Sequence, residues 1–264
     1  IIDQIYKGKH NYNKILEKSN KTLILIGESV LNRNDGAGIL GRLREIAKKY
    51  NFYSNKWNGI GVLHTTANRV GALEAGFVPG KNGLCTEGIL KSLKSNKIKL
   101  LWLLGYDEVI PKNNSESFII YQGHHGDIGA NSADLILPGS AYTEKNATYI
   151  NTEGRVQRTY ASVPPPGNAK EDWKIIRAFS EYINKVLPYN NISQLRARFE
   201  EINKNFNIEN SLIKSDTNDI GDTSVKLSSS KIEPANINYF MTCPISRSSE
   251  TMAKCTISKS KLDM

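Results

Sequence analysis

The chain has 264 residues, 39% of them hydrophobic and 23% charged, which is enough for one large domain or two small ones. Mean hydropathy is -0.42, and the longest apolar run, Leu100–Leu104, is of strand length, so nothing approaches the roughly 18 apolar residues of a membrane helix. The formal charge of +9 and pI near 9.3 come without a zinc finger, an RNP motif or a basic helix with interleaved aromatics, so no nucleic-acid partner is expected. The excess charge reads as a solvated surface or as a face for acidic partner proteins.

Taken in chain order, Leu23–Ile26 reads as a short buried strand closed by Gly27. Apolar positions Ile39, Leu40, Leu43, Ile46 and Ala47 then recur at helical spacing and predict a helix over Gly36–Tyr50, capped by Asn34 or Asp35. A strand at Ile60–Leu63, a helical pattern over Thr65–Ala75, a turn at Gly76–Gly83 and a helix near Glu87–Leu93 follow. Lys99–Leu104, Phe118–Tyr121 and Ala133–Leu137 read as strands, and Asn151–Gly154 as the turn of a β-hairpin. Beyond Pro164–Pro166, helices are predicted over Glu171–Val186 and about Ser193–Asn203.

Alternating strands and helices imply an α/β fold: a Rossmann-like parallel sheet with helices on both faces, plus a β-hairpin and an extended C-terminal tail. The organisation read from composition is a lead-in over 1–20, an α/β domain over 21–203, a mobile or extended polar linker over 204–236 and a docking tail over 237–264. The chain opens on Ile1 without a signal-peptide pattern, and the expectation is a removed start or a piece of a longer or split gene product. Its richness in Lys, Asn and Ile is that of an A·T-biased gene, such as an organellar one.

Three cysteines, Cys85, Cys243 and Cys255, lie far apart with no CxxC, so neither an iron–sulfur cluster nor a disulfide framework is expected. Gly36-Ala-Gly38-Ile-Leu-Gly41 fits G-x-G-x-x-G and opens a helix. The preceding strand ends too early, however, and after Glu45 the next acid is Glu74, so these glycines read as easing helix–sheet packing. His124 and His125, with Asp127 and the distant His64 and His10, offer possible metal ligands. Adjacent side chains are expected to diverge, so the reading carried forward is hydrogen bonding that orders a loop over the strand ends. The segment 144–157 concentrates Glu144, Asn146, Thr148, Asn151, Glu153, Arg155 and Gln157; Arg155 is expected to pair with Glu144 or Glu153 and fix the hairpin. No nucleophile elbow or catalytic pair of carboxylates stands out, and the expectation is no catalytic, cofactor-binding or metal-binding residue.

ADLILPGSAYTEKNATYINTEGRVQ resembles the molybdopterin oxidoreductase superfamily, and YQGHHGD narrows the match to the branch of large iron–sulfur subunits of respiratory complex I. IGESVLNRNDGA, PPPGNAKEDWKIIRA and MTCPISRSSETMAKC occur in the same order as in that branch, over about Lys21–Asn203 and the tail. The resemblance implies the C-terminal part of such a subunit, in which the hairpin of catalytic relatives lies close to a pterin. It implies a non-catalytic structural role in NADH:ubiquinone oxidoreductase, on the matrix side of the mitochondrial inner membrane, meeting the membrane only through the complex. Iron–sulfur clusters belong by this reading to partner subunits or to an N-terminal cluster-bearing part. The alternative is a free-standing oxidoreductase domain binding a pterin or nucleotide.

Overall fold

The computed structural model describes residues 1–54, 57–108, 116–207, 209–210, 212, 219–231 and 238–262. The chain divides into two compact units, residues 1–74 with 149–157 and 207–235, and residues 75–148 with 158–206 and 236–264.

The first unit holds helices α1 (Ile2–Tyr6), α2 (Asn13–Lys18), α3 (Glu28–Leu31), α4 (Gly36–Lys49) and α5 (Arg69–Glu74), with strands β1 (Ile24–Gly27), β2 (Tyr53–Ser54), β3 (Trp57–Asn58) and β4 (Ile60–Leu63). Strands β1 and β4 run parallel, with Ile24 opposite Ile60 and Gly27 opposite Leu63. One face of this pair contributes Ile26 and Ile60 to a core completed by Leu16, Ile46, Ala47 and Phe52. Ile46 and Ala47 belong to the apolar stripe that predicts α4, so period and packing agree.

The second unit holds α6 (Thr86–Lys94) and a three-stranded parallel sheet in the order β5 (Leu100–Leu104), β6 (Phe118–Gly123), β7 (Leu135–Pro138), with α7 (Ile128–Asn131) between β6 and β7. Successive strand residues point to opposite faces. Leu103, Ile119 and Tyr121 pack with Leu93 of α6 on one face, and Trp102 on the other meets Phe179 edge-on at 4.8 Å. Phe179 lies in α8 (Asp172–Tyr182), so helices cover both faces of this sheet, as its apolar strands require. The parallel strands thus fall into two sheets. Between these elements a hairpin of β8 (Ala147–Ile150) and β9 (Val156–Thr159) turns where predicted, with Asn151 Oδ1 accepting the Glu153 and Arg155 N–H groups, both at 3.0 Å. Helix α9 (Ile192–Ile202) follows α8 and is capped by the Asn191 side chain on Gln194 N at 2.9 Å.

Two expectations are corrected. The tail, read as extended, contains α10 (Pro244–Arg247) and α11 (Glu250–Leu262). Helix α8 stops before Val186 because Asn184 takes φ +53°, Asn184 N donates to Glu181 O and Lys185 N to Ser180 O, which is a Schellman end. The same motif closes α4 at Asn51 (φ +55°) and α6 at Asn96 (φ +55°), positions more often filled by glycine. The polar linker expected over 204–236 lies partly outside the described residues, and within its described part the segment 219–231 lies against α4.

The left-handed conformation costs an L-residue roughly 1–2 kcal/mol, least for Asn and Gly. Asn96→Gly is therefore expected to hold or raise the denaturation midpoint and Asn96→Val to lower stability by about 1–2 kcal/mol, both measured by urea unfolding.

Candidate functional site

Two places bring polar groups together at the ends of the parallel strands. In the second unit, Pro138 ends β7, Gly139 N donates to Gly123 O at 2.9 Å, and Ser140 N and Pro138 O bond to Lys170 at 2.9 and 3.1 Å. This parallel bridge between Gly139 and Lys170 sets Glu171 and Asp172, at the start of α8, beside the carboxyl ends of β6 and β7, where open α/β sheets place ligands. Fully buried Gln122 donates from Nε2 to Asp172 Oδ1 at 3.0 Å, and Lys145 Nζ meets Asp172 Oδ2 at 2.5 Å. Glu171 accepts from Trp173 Nε1 at 2.7 Å and pairs with Lys174 at 3.3 Å, while Glu144 accepts the Ala141 N–H at 2.9 Å. Each carboxylate is thus answered by a donor. Two buried oxygens, Gln122 Oε1 and Ser140 Oγ, have no hydrogen-bond partner. A cleft of about 450 Å³ opens nearby, lined among others by Glu144, Val163, Pro164, Pro165, Glu171 and Lys174.

The loop leaving β6 carries the two histidines. Their rings do not diverge: His124 Nδ1 and His125 Nδ1 lie 2.7 Å apart, with the rings edge-on at 84°. Loss of hydration, then His125 and Lys145, hold the His124 imidazole below its ordinary value, although the residue as a whole is exposed. Beneath the loop, buried Tyr121 bonds through its hydroxyl to Asp107 Oδ2 at 2.9 Å and His125 O at 2.8 Å; burial first and Asp107 next push its phenol well above the ordinary range. Asp127 caps α7 by accepting the Ile128 N–H at 2.9 Å and pairs with Arg247 of α10. That pairing with Arg247 holds the Asp127 carboxyl below its usual value.

In the first unit the G-x-G-x-x-G glycines have a different role from helix–sheet packing. A Cβ on Gly38 would stand 2.7 Å from Val225 O, one on Gly41 2.8 Å from the backbone of Asp222, and one on Gly36 2.2 Å from Leu31 O. The segment 219–231, part of the expected linker, is strapped along this glycine face. Asp222 N donates to Ala37 O at 2.8 Å, and Gly221, at φ +72°, lies so close that a Cβ there would meet Gly41 N at 2.1 Å. Arginines read the strap by its main chain: Arg42 Nη1 donates to Val225 O and to Gly38 O, both at 3.0 Å, and Arg44 Nη1 to Ile220 O at 2.9 Å. Asp35, at the predicted N-cap position of α4, makes no side-chain cap bond. Its carboxylate accepts instead from Arg33 at 2.8 and 3.2 Å and from Ser228 N at 2.8 Å. Arg33 first and the Ser228 N–H second hold the Asp35 carboxyl down to about 2. Along the strap Thr223, Val225 and Leu227 are half-buried while Asp222, Ser224, Lys226 and Ser228 are exposed, a period of two that was present in GDTSVKLS but short enough to pass as linker.

The remaining candidates are dispersed. Of the two partners expected for Arg155, Glu153 pairs with it at 3.5 Å, and the guanidinium also donates to Asn210 O at 2.7 Å. Glu144, Asn146 and Thr148 fall in the second unit, and Asn151, Glu153, Arg155 and Gln157 in the first. Within the first unit His10 Nδ1 accepts the Tyr12 N–H at 3.1 Å, and His64 Nδ1 is buried without a partner. Glu28, of IGESV, accepts from Thr65 N and Oγ1, both at 2.8 Å, across the ends of β1 and β4; sequence reading gave it no role. Cys85 and Cys243 are exposed, Cys255 is half-buried, and all three are free thiols. Among the described residues no group of three or more His, Cys, Asp or Glu side chains is placed to hold a metal ion.

Comparison with known proteins adds ancestry to this geometry. Residues 2–182 match the family model for molybdopterin oxidoreductase, and residues 208–255 that for the C-terminal region of the G subunit of NADH-ubiquinone oxidoreductase. The chain belongs to the molybdopterin oxidoreductase family. It is 45% identical to the NADH-ubiquinone oxidoreductase 75 kDa subunit of Reclinomonas americana, over 96% of this chain and 36% of that one. Identity is 44% to the mitochondrial 78 kDa subunit of Candida albicans, over 91% and 33% of the two chains. The G subunit of the NADH-quinone oxidoreductase of Rickettsia typhi is 37% identical over 98% and 36%. The chain thus spans about a third of the length of these curated relatives. The strap and the first of the tail helices fall within the second family match.

Two predictions concern the strap. Gly41→Ala is expected to lift it and cost roughly 1–3 kcal/mol, the usual range for overpacking, with faster proteolysis at Lys226 and Lys231 as the direct reading. Because the Asp35 carboxyl is depressed to about 2 from 3.8, its contribution is complete above the ordinary value and fades as pH falls from there towards about 2. Acid unfolding followed by circular dichroism should therefore lose part of its pH dependence in that window in Asp35→Asn.

Proposed function

We propose that this chain is a non-catalytic structural part of the peripheral arm of a mitochondrial NADH:ubiquinone oxidoreductase, on the matrix side of the inner membrane. Electrons pass through cluster-bearing neighbours, among them the N-terminal part of the same kind of subunit, and this chain supports their arrangement. The names of the relatives support the assignment to that complex. No helix among the described residues is long and apolar enough to cross a membrane, in keeping with attachment through partners.

One observation carries the structural reading: in the glycine-rich stretch, the feature of the sequence nearest to a dinucleotide site, Gly38 and Gly41 are covered by the chain's own strap. Strap backbone lies against Gly38 and Gly41, on the side that the fingerprint leaves bare for close approach. The residues at the strand-end crevice also fit a pterin-bound metal poorly. Its carboxylates are spent on Lys145, Lys174, Gln122, Trp173 and a backbone amide, and the thiols among the described residues are Cys85 and Cys243, both exposed, and Cys255 in α11. Carboxylates bonded in this way help to rigidify a fold, because they hold partners before any ligand arrives.

The buried oxygens of Gln122 and Ser140 favour a second reading, an oxidoreductase domain with a pterin or nucleotide in the crevice. Native mass spectrometry distinguishes the two, since a tightly held organic cofactor would support the second. Metal and pterin analysis of the purified protein is expected to return neither molybdenum nor tungsten in stoichiometric amount, and either one at that level would overturn the structural reading. Co-migration with the large complex on native gels is expected; a chain found only outside it would count against the proposal.

A further inference from the structure

The two rings facing each other on the β6 loop pose a question of proton counting. A neutral imidazole has one N–H and one bare nitrogen, and a charged imidazolium has two N–H groups. With Nδ1 and Nδ1 at 2.7 Å there is room for one proton between the rings, so one ring donates and the other accepts. A first added proton can go to an outer nitrogen and leave this contact intact. Charging both rings places N–H against N–H at a distance neither can tolerate, and the rings must part.

The loop that would move is also the tail's anchorage. His125 O receives the Tyr121 hydroxyl at 2.8 Å, and two residues on, Asp127 pairs with Arg247 of α10. The surrounding charges do little to favour the doubly charged pair. Lys145 is paired with Asp172, Arg247 with Asp127, Glu144 is bonded to an amide, and Asp107 faces Tyr121 and the Gly129 N–H.

We propose that the His124–His125 contact is a proton-sensitive latch: it holds the loop that anchors Arg247, and charging both histidines releases the C-terminal helices from this unit. The depressed His124 imidazole fixes the sign. Docking is complete above the ordinary value of 6.5 and is lost as pH falls below it.

Hydrogen exchange of residues 244–258 in the full chain, corrected for the intrinsic pH dependence of exchange, tests this between about pH 7.5 and about pH 5.5, where histidine changes charge. The native chain is expected to lose protection there several-fold on acidification. His124→Gln and His125→Gln should each show little change between the two pH values, and Arg247→Ala should be weakly protected at both. Equal protection of the native chain at both pH values would overturn the proposal. So would a pH dependence kept in both histidine variants, which would assign the titration to a carboxylate. Nitrogen NMR of the two rings supplies a readout independent of the tail: one protonated and one bare Nδ1 are expected at the higher pH. Two bare Nδ1 atoms would remove the contact on which the latch depends.

Discussion

The first unit depends on one contact, the approach of the 219–231 backbone to the α4 backbone across three glycines. No side chain beyond hydrogen fits at Gly38 or Gly41, and a strap segment holding Gly221 can then come within main-chain bonding distance of Ala37 O. Once the strap is there its carbonyls need donors, and Arg42 and Arg44 of α4 supply them. Asp35 gives up the usual capping bond to hold Arg33 and Ser228. A segment bound through its main chain needs little hydrophobicity of its own, so a composition that reads as unstructured is compatible with a fixed position.

In the second unit the sheet follows ordinary rules, and the interest lies at its end. Gln122 and Lys145 answer Asp172, while Trp173 and Lys174 answer Glu171. The hairpin wording identifies the lineage, and the side chains around the crevice set the geometry at the end of the sheet.

Much of the architecture was legible because periodicity is a direct imprint of packing. The α4 stripe, the apolar strands β5 and β6 and the Asn151 turn each carry their structure locally. The family was legible too, through ordered blocks such as YQGHHGD. What escaped depends on partners far away in sequence. Gly36, Gly38 and Gly41 show only that backbone must come near, not whether it belongs to a ligand, a sheet or a strap 180 or so residues later. Asn184 ended a helix whose apolar stripe runs on to Val186, since a left-handed residue is invisible to a hydrophobic pattern. The histidine contact escaped because neighbours in sequence are expected to diverge, whereas the irregular loop holding His124 and His125 turns their rings together.

The asparagines at the ends of α4, α6 and α8 have a consequence for how such a sequence can drift. A gene under pressure towards adenine and thymine exchanges glycine codons for asparagine ones, and a left-handed helix end absorbs that exchange with little penalty. The glycines of α4 admit no such substitution, since there the need is for empty space and not for a backbone angle. Base composition can therefore rewrite the punctuation of this fold while leaving the seat of its strap untouched.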